Sequence, residues 1–416
     1  MSARRAPRSV EPRPTIAITG LGTFTGAKIA ERLLEQDPPA RIVGLDLRQP
    51  RRLEGRVRFH RVDLTEPTAD SIVAEILEKE RCETVLHAAF FTDPHPDLEY
   101  SHELEVVGSL HVMNAAAASG VRKLVVTSSA QVYGPHPDNP NFLSEDHALR
   151  PPHGAHSLRD RVEVEGLLRI FAQRHRALVV TSLRPCWIVG PSYESAVTRR
   201  FDAARVVTLL GYDPLLQFLH ESDWLDAVEL ALERDAPGVY NLAADGVLPL
   251  STLLRLAGKR SLPLPHPLLQ RVAYLESIAR SGDPPGAFFD YLRFLWVVDT
   301  SRARAERGFD PVYTTKEAWM SFVVARKLRG YRGDRRALRT RTSALGWSFW
   351  TSFARRFARC AASSSSASGF GTAARPSASR ASKSKPTPAS NRPRPAPASS
   401  RALVASFARA STASTS

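Results

Sequence analysis

The chain has 416 residues, 43% of them hydrophobic, and its formal net charge is +15. A chain of this length can bury one large core, or one core with a smaller lobe beside it. Its apolar runs are shorter than the ~20 residues that cross a bilayer, so we expect no membrane-spanning helix. Three widely spaced cysteines, Cys82, Cys186 and Cys360, argue against a disulfide framework or a zinc site and favour a reducing, cytoplasmic compartment.

The positive charge is concentrated towards the carboxyl end of the chain. After residue 325 the sequence has 19 Lys and Arg and one acid, so the preceding residues carry a slight negative charge. Residues 331–360 are predicted to form a basic, aromatic helical extension. Residues 1–14 and 361–416 are predicted to be disordered, because few large apolar side chains are available there to offset the entropy of ordering.

Strand-like and helical segments alternate along residues 15–185. The predicted strands are residues 15–19, 41–47, 57–64, 84–90, 123–129 and 178–185. Helical spacing of apolar residues lies between them, as in 26–36 and in 158–174. This alternation predicts an α/β fold, with helices on both faces of a parallel sheet. Over residues 186–330 the alternation weakens, which indicates a smaller lobe interleaved with the first domain, ending in a helix near 315–328.

A glycine-rich turn, "TGLGTFTG" (19–26), joins the first strand to the first helix. Such a turn lets backbone N–H groups approach a pyrophosphate at a helix N-terminus, although a tight turn without a ligand is the simpler alternative. Asp46 ends the second strand, where a carboxylate can bind ribose hydroxyls and repel a 2′-phosphate. NAD is therefore favoured, while three nearby arginines leave NADP open. The residues predicted to cradle the diphosphate are Gly20, Gly22, Thr23, Phe24 and Gly26.

Seven segments, in the correct order, resemble the extended short-chain dehydrogenase/reductases of the NAD-dependent epimerase/dehydratase type. The clearest are the glycine turn, "LHAAF" (86–90), "TSSAQVYG" (127–134) and "LRPCWIVGP" (183–191). The resemblance implies a Rossmann-type doubly wound parallel sheet over 15–185 and a C-terminal substrate lobe over 186–330. It also implies that Asp63 and Leu64 border the adenine and that Ala88 and Ala89 let the cofactor lie flat. Thr23 stands where the family usually has glycine.

The family's YxxxK pair is absent, since residues 151–166 contain neither Tyr nor Lys. In relatives the Tyr transfers the substrate proton, and the Lys lowers the pKa of that Tyr and binds the nicotinamide ribose. Alignment on "VEGLLR" (164–169) puts Arg161 at the Lys position and Ser157 at the Tyr position. The resemblance assigns the catalytic hydroxyl to Ser129.

His156 is our first candidate for the missing acid/base group, because imidazole titrates near neutrality. A solvated residue at a helix start is the alternative reading of His156, and His153 is a looser candidate. Ser157 fits a helix N-cap better than a catalytic role. Tyr133 and His87 are expected to be structural, and we expect no metal site.

The resulting functional hypothesis is an oxidoreductase that acts on a sugar nucleotide or a related hydroxyl compound by hydride transfer. A catalytically silent NAD(P)-binding sensor or scaffold is the alternative. Homodimerisation, common in relatives, is left open. The aromatic stripe of residues 345–360 beside arginines also leaves open a peripheral contact with the inner face of a membrane. No specific nucleic acid is expected, although the basic tail keeps this third idea open.

Overall fold

The computed structural model describes residues 14–37, 39–269, 271 and 286–334. Seven parallel strands form the main sheet, in the spatial order β3-β2-β1-β4-β5-β6-β11. These strands are β1 (Ile16–Thr19), β2 (Ile42–Asp46), β3 (Arg58–Arg61), β4 (Thr84–His87), β5 (Lys123–Thr127), β6 (Val179–Pro185) and β11 (Gly238–Leu242). The predicted α/β fold with a doubly wound parallel sheet is confirmed.

Helices connect the strands and continue into the C-terminal part of the described chain. They are α1 (Phe24–Glu35), α2 (Ala69–Lys79), α3 (Leu98–His102), α4 (Gly108–Ala118), α5 (His156–Arg174), α6 (Ala196–Asp202), α7 (Glu221–Glu233), α8 (Leu250–Ala257), α9 (Gly286–Asp290), α10 (Ser301–Arg307) and α11 (Thr315–Asp334). A π-helical turn, Glu103–Val107, leads from α3 into α4, and a 3₁₀ turn, Ala130–Tyr133, follows β5. Among the described residues, no helix combines the length and the apolar run needed to cross a membrane.

The sheet is buried on both faces, which explains why its strands are apolar without a break. Successive side chains of a strand point to opposite faces. In β1, Ile16 and Ile18 belong to one hydrophobic cluster while Ala17 belongs to the other, and all three are buried. Helices must therefore cover both faces, as a parallel sheet requires.

The direction of strand progression reverses beside β1. From β1 the chain proceeds outward through β2 and β3, and then returns to β4 on the other side of β1. Because the connections diverge there, a crevice opens between the carboxyl ends of β1 and β4, where ligands of this fold class bind. The strand ends thus place residues 20, 46, 63, 88 and 129 along one edge of the sheet.

Two predicted strands end earlier than their apolar sequences suggest, and both differences leave predicted site residues in loops. After β4, Phe90 N–H donates to Ala88 O at 2.9 Å, so the chain turns out of the sheet at that point. The strand predicted over 57–64 is ordered only as β3, and Asp63 and Leu64 follow it. Loops at the carboxyl ends of strands can reach a ligand more easily than residues inside the sheet.

The remaining strands form three two-stranded sheets after β6. They pair β7 (Trp187–Val189) with β10 (Phe218–His220), β8 (Arg205–Leu209) with β13 (Arg260–Leu264), and β9 (Leu215–Leu216) with β12 (Leu248–Pro249). Aromatic packing fills the space between them, with Trp319 stacked on Phe218 at 5.1 Å and meeting Phe201 edge-on at 5.2 Å. The predictions for residues 1–13 and 335–416 lie outside the described residues.

Candidate active site

The glycine turn brings β1 against β4. Gly20 has φ +70°, and a Cβ there would lie 2.6 Å from both Ala88 O and Ala89 N. A Cβ on Gly26 would collide with Gly20 O. Both glycines are thus required by close backbone approach, and Gly20 also by its left-handed conformation.

Thr23 occupies the position where glycine is usual without distorting the turn. Its backbone is extended, with φ −70° and ψ 161°, so no glycine is needed. Its Oγ1 accepts a hydrogen bond from Gly26 N–H at 3.0 Å and donates one to Gly20 O at 2.8 Å. Thr23 therefore caps α1, and the helix N-terminus lies at the crevice, where a diphosphate would be stabilised.

Asp46 fixes the neighbouring edge of the crevice. Its carboxylate accepts hydrogen bonds from Gly22 N–H at 2.8 Å and from Leu47 N–H at 2.6 Å. A Cβ on Gly22 would approach Asp46 Oδ2 to 3.3 Å, so the absence of a side chain keeps this carboxylate accessible. A pocket lies beside Asp46, and its lining includes most of the predicted cofactor residues. Among its lining residues are Gly20, Gly22, Thr23, Asp46, Asp63, Leu64, Ala89 and Tyr100.

His87, at the end of β4, is a packed residue of the sheet. Its Nδ1 lies 2.7 Å from Thr19 Oγ1 and its Nε2 lies 2.8 Å from Ser109 Oγ. Ser109 donates its own proton to Glu105 O, so Nε2 is the protonated nitrogen and Nδ1 accepts from Thr19. Burial lowers the pKa of His87 to about 3, which keeps the ring neutral. His87 thus acts as a structural link at the crevice.

The other end of the crevice is a second pocket, between the sheet and the lobe. Its lining includes Ala88, Ser129, Ser157 and Arg161. Ser129 follows β5 and accepts a hydrogen bond from Gln131 N–H at 3.2 Å. The structure therefore brings together the predicted catalytic hydroxyl, the Tyr-position serine and the Lys-position arginine in one cleft.

Arg161 is held in a fixed position. It donates to Phe91 O at 2.7 Å, and its guanidinium lies over the Phe90 ring at 4.9 Å. Glu105 accepts a hydrogen bond from Phe91 N–H at 2.8 Å and lies 3.7 Å from Arg161. A buried carboxylate thus accompanies the arginine, and both hold the loop that follows β4.

The start of α5 differs from the sequence expectation. The helix begins at His156 rather than near Leu158, and Ala155 rather than Ser157 occupies the N-cap position. Ser157 and Leu158 line the cleft, whereas His156 is exposed and is not among the lining residues. Successive residues of a helix are rotated by ~100°, so the side chains of His156 and Ser157 point in different directions. A catalytic role for His156 stays a prediction.

Tyr133 is completely buried in a polar network that supports the cleft from below. Its hydroxyl accepts from Arg184 at 2.6 Å and donates to Asn241 at 2.8 Å. Arg184 also pairs with Glu165 of α5, with contacts of 2.9 and 3.1 Å. The network ties α5 to strand β6 and gives Tyr133 the structural role expected of it. The buried partner Glu165 could not be recognised from sequence, because its partners are distant in the chain.

Tyr193 is a cleft residue that sequence reasoning missed. It follows β7, and its ring meets the Phe24 ring edge-on at 4.9 Å. It lines the same pocket as Ser129 and Arg161. Burial raises the pKa of Tyr193 to about 12, the charge of Arg161 lowers it and Asp93 raises it. The sequence signal was a tyrosine two residues after "VGP", in a segment that matches the family.

One group in the described part of the chain has the spacing of metal ligands. It comprises His102, Asp160 and Glu163, whose ligating atoms lie within 4.8 Å of one another. His102 Nδ1 lies 2.9 Å from Asp160 Oδ1, and this contact raises the pKa of the imidazole. These residues do not line the cleft, and the direct His–Asp contact accounts for their proximity.

The crevice, its glycine turn and the acidic end of β2 define a Rossmann-type dinucleotide-binding protein. More particularly, the chain belongs to the NAD dependent epimerase/dehydratase family, whose model matches residues 16–243. NAD is the cofactor of such a protein. The residues present fit it, with an open glycine turn, a capped helix N-terminus and a carboxylate at the ribose position.

Two curated relatives show how far the similarity extends along the chain. An uncharacterized protein of Mycobacterium tuberculosis is 31% identical over 323 residues, which cover 75% of this chain and 84% of the relative. A 3-diazoavenalumate denitrifying reductase from a Streptomyces species is 27% identical over 209 residues, covering 45% of this chain and 67% of that protein.

The similar solved structures share the fold. MoeE5 in complex with UDP-glucuronic acid and NAD has a TM-score of 0.58 at 22% identity, over 76% of this chain and 99% of that one. A UDP-glucose 4-epimerase from Thermotoga maritima, solved with UDP-glucose, has a TM-score of 0.57 at 18% identity, with the same coverage. A dTDP-glucose 4,6-dehydratase from Bacillus anthracis, in complex with NAD, has a TM-score of 0.59 at 14% identity, over 77% and 98% of the two chains.

Proposed function

We propose that this protein is an oxidoreductase of the epimerase/dehydratase type, which acts on a sugar nucleotide by transient hydride transfer at a carbinol carbon. The main support for this proposal is that Ser129 and Arg161 lie in a cleft next to the pocket formed by Asp46 and the glycine turn. NAD, when bound, supplies the hydride acceptor. A reacting hydroxyl beside Ser129 would therefore lie near the redox centre.

Different residues of the chain would bind the cofactor and the substrate. The backbone from Gly20 to Phe24 and the N-terminus of α1 bind the diphosphate, and Asp46 binds the adenosine ribose. Asp63 and Leu64 border the adenine. Arg161 binds the nicotinamide ribose and supplies positive charge, while Ser129 binds the reacting oxygen of the substrate.

The lobe side of the cleft supports a nucleotide-linked substrate. Arg200 lies in the lining, with its guanidinium 4.8 Å from the centre of the Phe288 ring. Trp187 stacks with Phe288, with ring centroids 5.7 Å apart. A cation held against aromatic rings can bind a diphosphate, while the aromatic surface accommodates a base or sugar.

Two measurements test this function. Titration calorimetry of the full chain should detect heat on addition of NAD. Wild-type protein loaded with NAD is then mixed with UDP-glucose, UDP-glucuronic acid and dTDP-glucose, and the absorbance of reduced nicotinamide is followed during a single turnover. Formation of the reduced form with any of them supports the proposal. Heat with NAD but no reduction across a broad sugar-nucleotide panel contradicts it.

A second function is favoured by a specific observation. Ser157 stands at the family's Tyr position, and a short hydroxyl with an alkoxide pKa far above neutrality cannot replace a phenol. A catalytically silent NAD-binding sensor or scaffold would need no such group. NAD binding without turnover is the result expected for it.

The partners proposed beyond the substrate concern surfaces outside the cleft. A homodimer is proposed by analogy with relatives and is tested by sedimentation of the purified chain. A peripheral membrane contact is proposed for residues 345–360, which lie outside the described residues. Co-sedimentation with anionic vesicles, with and without residues 340–416, tests the second proposal.

A further inference from the structure

We propose that Tyr193 is the proton-transferring group of this protein, acting beside Arg161 in place of the absent YxxxK pair. The inference rests on the proposed function, and it assigns a catalytic role to a residue outside the family motif. It replaces the exposed His156 with a side chain that lines the cleft.

The first observation is the rigidity of the loop that carries Tyr193. The carboxylate of Glu221, the first residue of α7, accepts hydrogen bonds from Ser192 N–H at 2.9 Å, Ser192 Oγ at 2.8 Å and Tyr193 N–H at 2.6 Å. Gly190 makes this approach feasible, because a Cβ there would lie 2.5 Å from the Glu221 carboxylate. The backbone at Tyr193 is thus fixed by a buttress outside the cleft.

The other side of the loop is held as well. Arg326 and Arg329 of α11 both pair with Glu194, at 3.1 and 2.7 Å. Ser195 then starts α6 with a capping box, accepting from Thr198 N–H at 3.2 Å while its own N–H donates to Thr198 Oγ1 at 2.8 Å. Contacts from three helices around one tyrosine resemble the support that functional side chains require.

The second observation concerns the contacts of the Tyr193 side chain. Its ring packs on Phe24, at the N-terminus of α1, so the side chain lies against the element that receives the diphosphate. Within the described ranges its hydroxyl makes no hydrogen bond, whereas the hydroxyls of the fully buried Tyr133, Tyr240 and Tyr291 all do. Tyr193 is half-buried at the cleft, so its hydroxyl is accessible to a ligand hydroxyl there.

The third observation is electrostatic. Burial raises the pKa of the Tyr193 phenol most, Arg161 from α5 is the charged group that lowers this pKa, and Asp93 from the loop after β4 raises it. Asp93 is itself paired with Arg199 at 2.5 Å, so its effect on the phenol is reduced. The Arg161 guanidinium supplies positive charge near the phenol, as the ammonium group of the Lys does in the family's YxxxK pair.

The proposed step balances in protons and electrons. NAD, when bound, would accept the hydride of the carbinol C–H bond with both of its electrons. Tyr193, after releasing its own phenol proton to solvent, would accept the proton of the substrate hydroxyl, and a carbonyl would form on the substrate. The reverse transfer returns the proton from the Tyr193 hydroxyl when the carbonyl is reduced.

The first test compares Tyr193→Phe with the control Tyr212→Phe, an exposed tyrosine away from the cleft lining. Tyr193→Phe keeps the ring on Phe24 and removes no hydrogen bond, so its stability and NAD affinity should match those of wild type. Its rate of nicotinamide reduction with the active sugar nucleotide should fall by roughly 10²- to 10⁴-fold. Tyr212→Phe should react at the wild-type rate. A loss of less than about threefold in Tyr193→Phe overturns the assignment.

A second test needs no turnover and so separates this inference from the proposed function. The ultraviolet difference spectrum between wild type and Tyr193→Phe reports ionisation of this phenol as pH is raised. The positive nicotinamide ring should make it titrate at least about one pH unit lower with NAD than without it. Arg161→Gln should raise the titration in both states. If wild type reduces no nicotinamide, a NAD-dependent titration still supports Tyr193 as the cleft phenol, and a NAD-independent one rejects it.

Discussion

At the scale of single residues, His156 and Tyr193 are the two candidates for the group that accepts the substrate's hydroxyl proton. His156 was the sequence candidate because it is the imidazole nearest in sequence to the family's Tyr position. Tyr193 lies in the cleft with Ser129 and Arg161, whereas His156 is exposed at the first position of α5. Geometry precedes pKa in choosing a general base, since a group that cannot reach the hydroxyl cannot accept its proton.

Replacing His156 by Ala separates the two candidates. If His156 transferred the proton, kcat would fall by roughly 100-fold or more. Its position outside the cleft lining leads us to expect a change of less than about threefold, with NAD affinity unaltered. Steady-state kinetics on the substrate identified in the nicotinamide assay measure both values. A loss that is restored by added imidazole would return the role to His156.

His87 gives a prediction about the dependence of stability on pH. The pKa of His87 is about 3 in the folded chain, below the ordinary 6.5. Between these two pH values the unfolded chain therefore binds a proton that the folded chain does not bind. Its contribution to stability is therefore complete above pH 6.5 and is lost as the pH falls towards 3. The slope from this one group is at most about 1.4 kcal/mol per pH unit.

In the variant His87→Gln, the free energy of unfolding should decrease less steeply as the pH falls. Urea unfolding at a series of pH values from about 7 to 4 gives the free energy of unfolding for both proteins. The variant is expected to be less stable than wild type near neutrality, because it loses the hydrogen bonds to Thr19 and Ser109. Its deficit should shrink as the pH falls, and parallel profiles would contradict the buried neutral imidazole.

At the scale of elements, the cleft is built where helices hold loops. The segment after β4 is fixed by Arg161 and Glu105, and the segment after β7 by Glu221 and Glu194. Loops at strand ends carry function best when a rigid scaffold positions them. The first residue of α7 and the later turns of α11 therefore matter to the site without touching it.

Glu221→Gln tests that positioning role. An amide keeps one acceptor but points N–H groups at the donors of Ser192 and Tyr193, so the loop should open more often. Hydrogen exchange at these two amides should accelerate roughly tenfold, which corresponds to ~1.4 kcal/mol. In single turnover the rate should fall while NAD affinity is kept. Glu233→Gln, exposed at the other end of α7, is the matched control and should change neither value.

Elements also show how far sequence reasoning reaches. The glycine turn and the strand that ends at Asp46 follow from local patterns, whereas Ser129 and Arg161 were indicated by the resemblance to the family; all of them line the two pockets of the crevice. The support of Tyr193 by Arg329 and of Arg184 by Glu165 joins residues far apart in the chain, and no local period encodes such contacts. The sequence did not fix the residue at which α5 begins. Neighbouring helical residues point in different directions, so this start decides whether His156 or Ser157 faces the cleft.

At the scale of the whole molecule, NAD should stabilise the folded chain against unfolding, because the unfolded chain has no turn to bind it. At a NAD concentration about 100 times its Kd, the free energy of unfolding should rise by about 2.7 kcal/mol. With an unfolding entropy of about 2.1 cal/mol/K per residue over roughly 300 folded residues, the midpoint of thermal unfolding should rise by about 4 °C. Differential scanning calorimetry of the full chain, with and without NAD, measures the shift.

Gly20→Ala and Gly120→Ala distinguish cofactor binding from general strain. Both glycines have nearly the same left-handed conformation, φ +70° and +69°, so both variants should lose stability through backbone strain. A Cβ at Gly120 meets nothing within 4 Å, whereas one at Gly20 meets Ala88 and Ala89 at 2.6 Å and must displace the turn. The NAD-dependent shift should therefore persist in Gly120→Ala and disappear in Gly20→Ala. Equal shifts in the two variants would mean that the diphosphate is bound somewhere other than this turn.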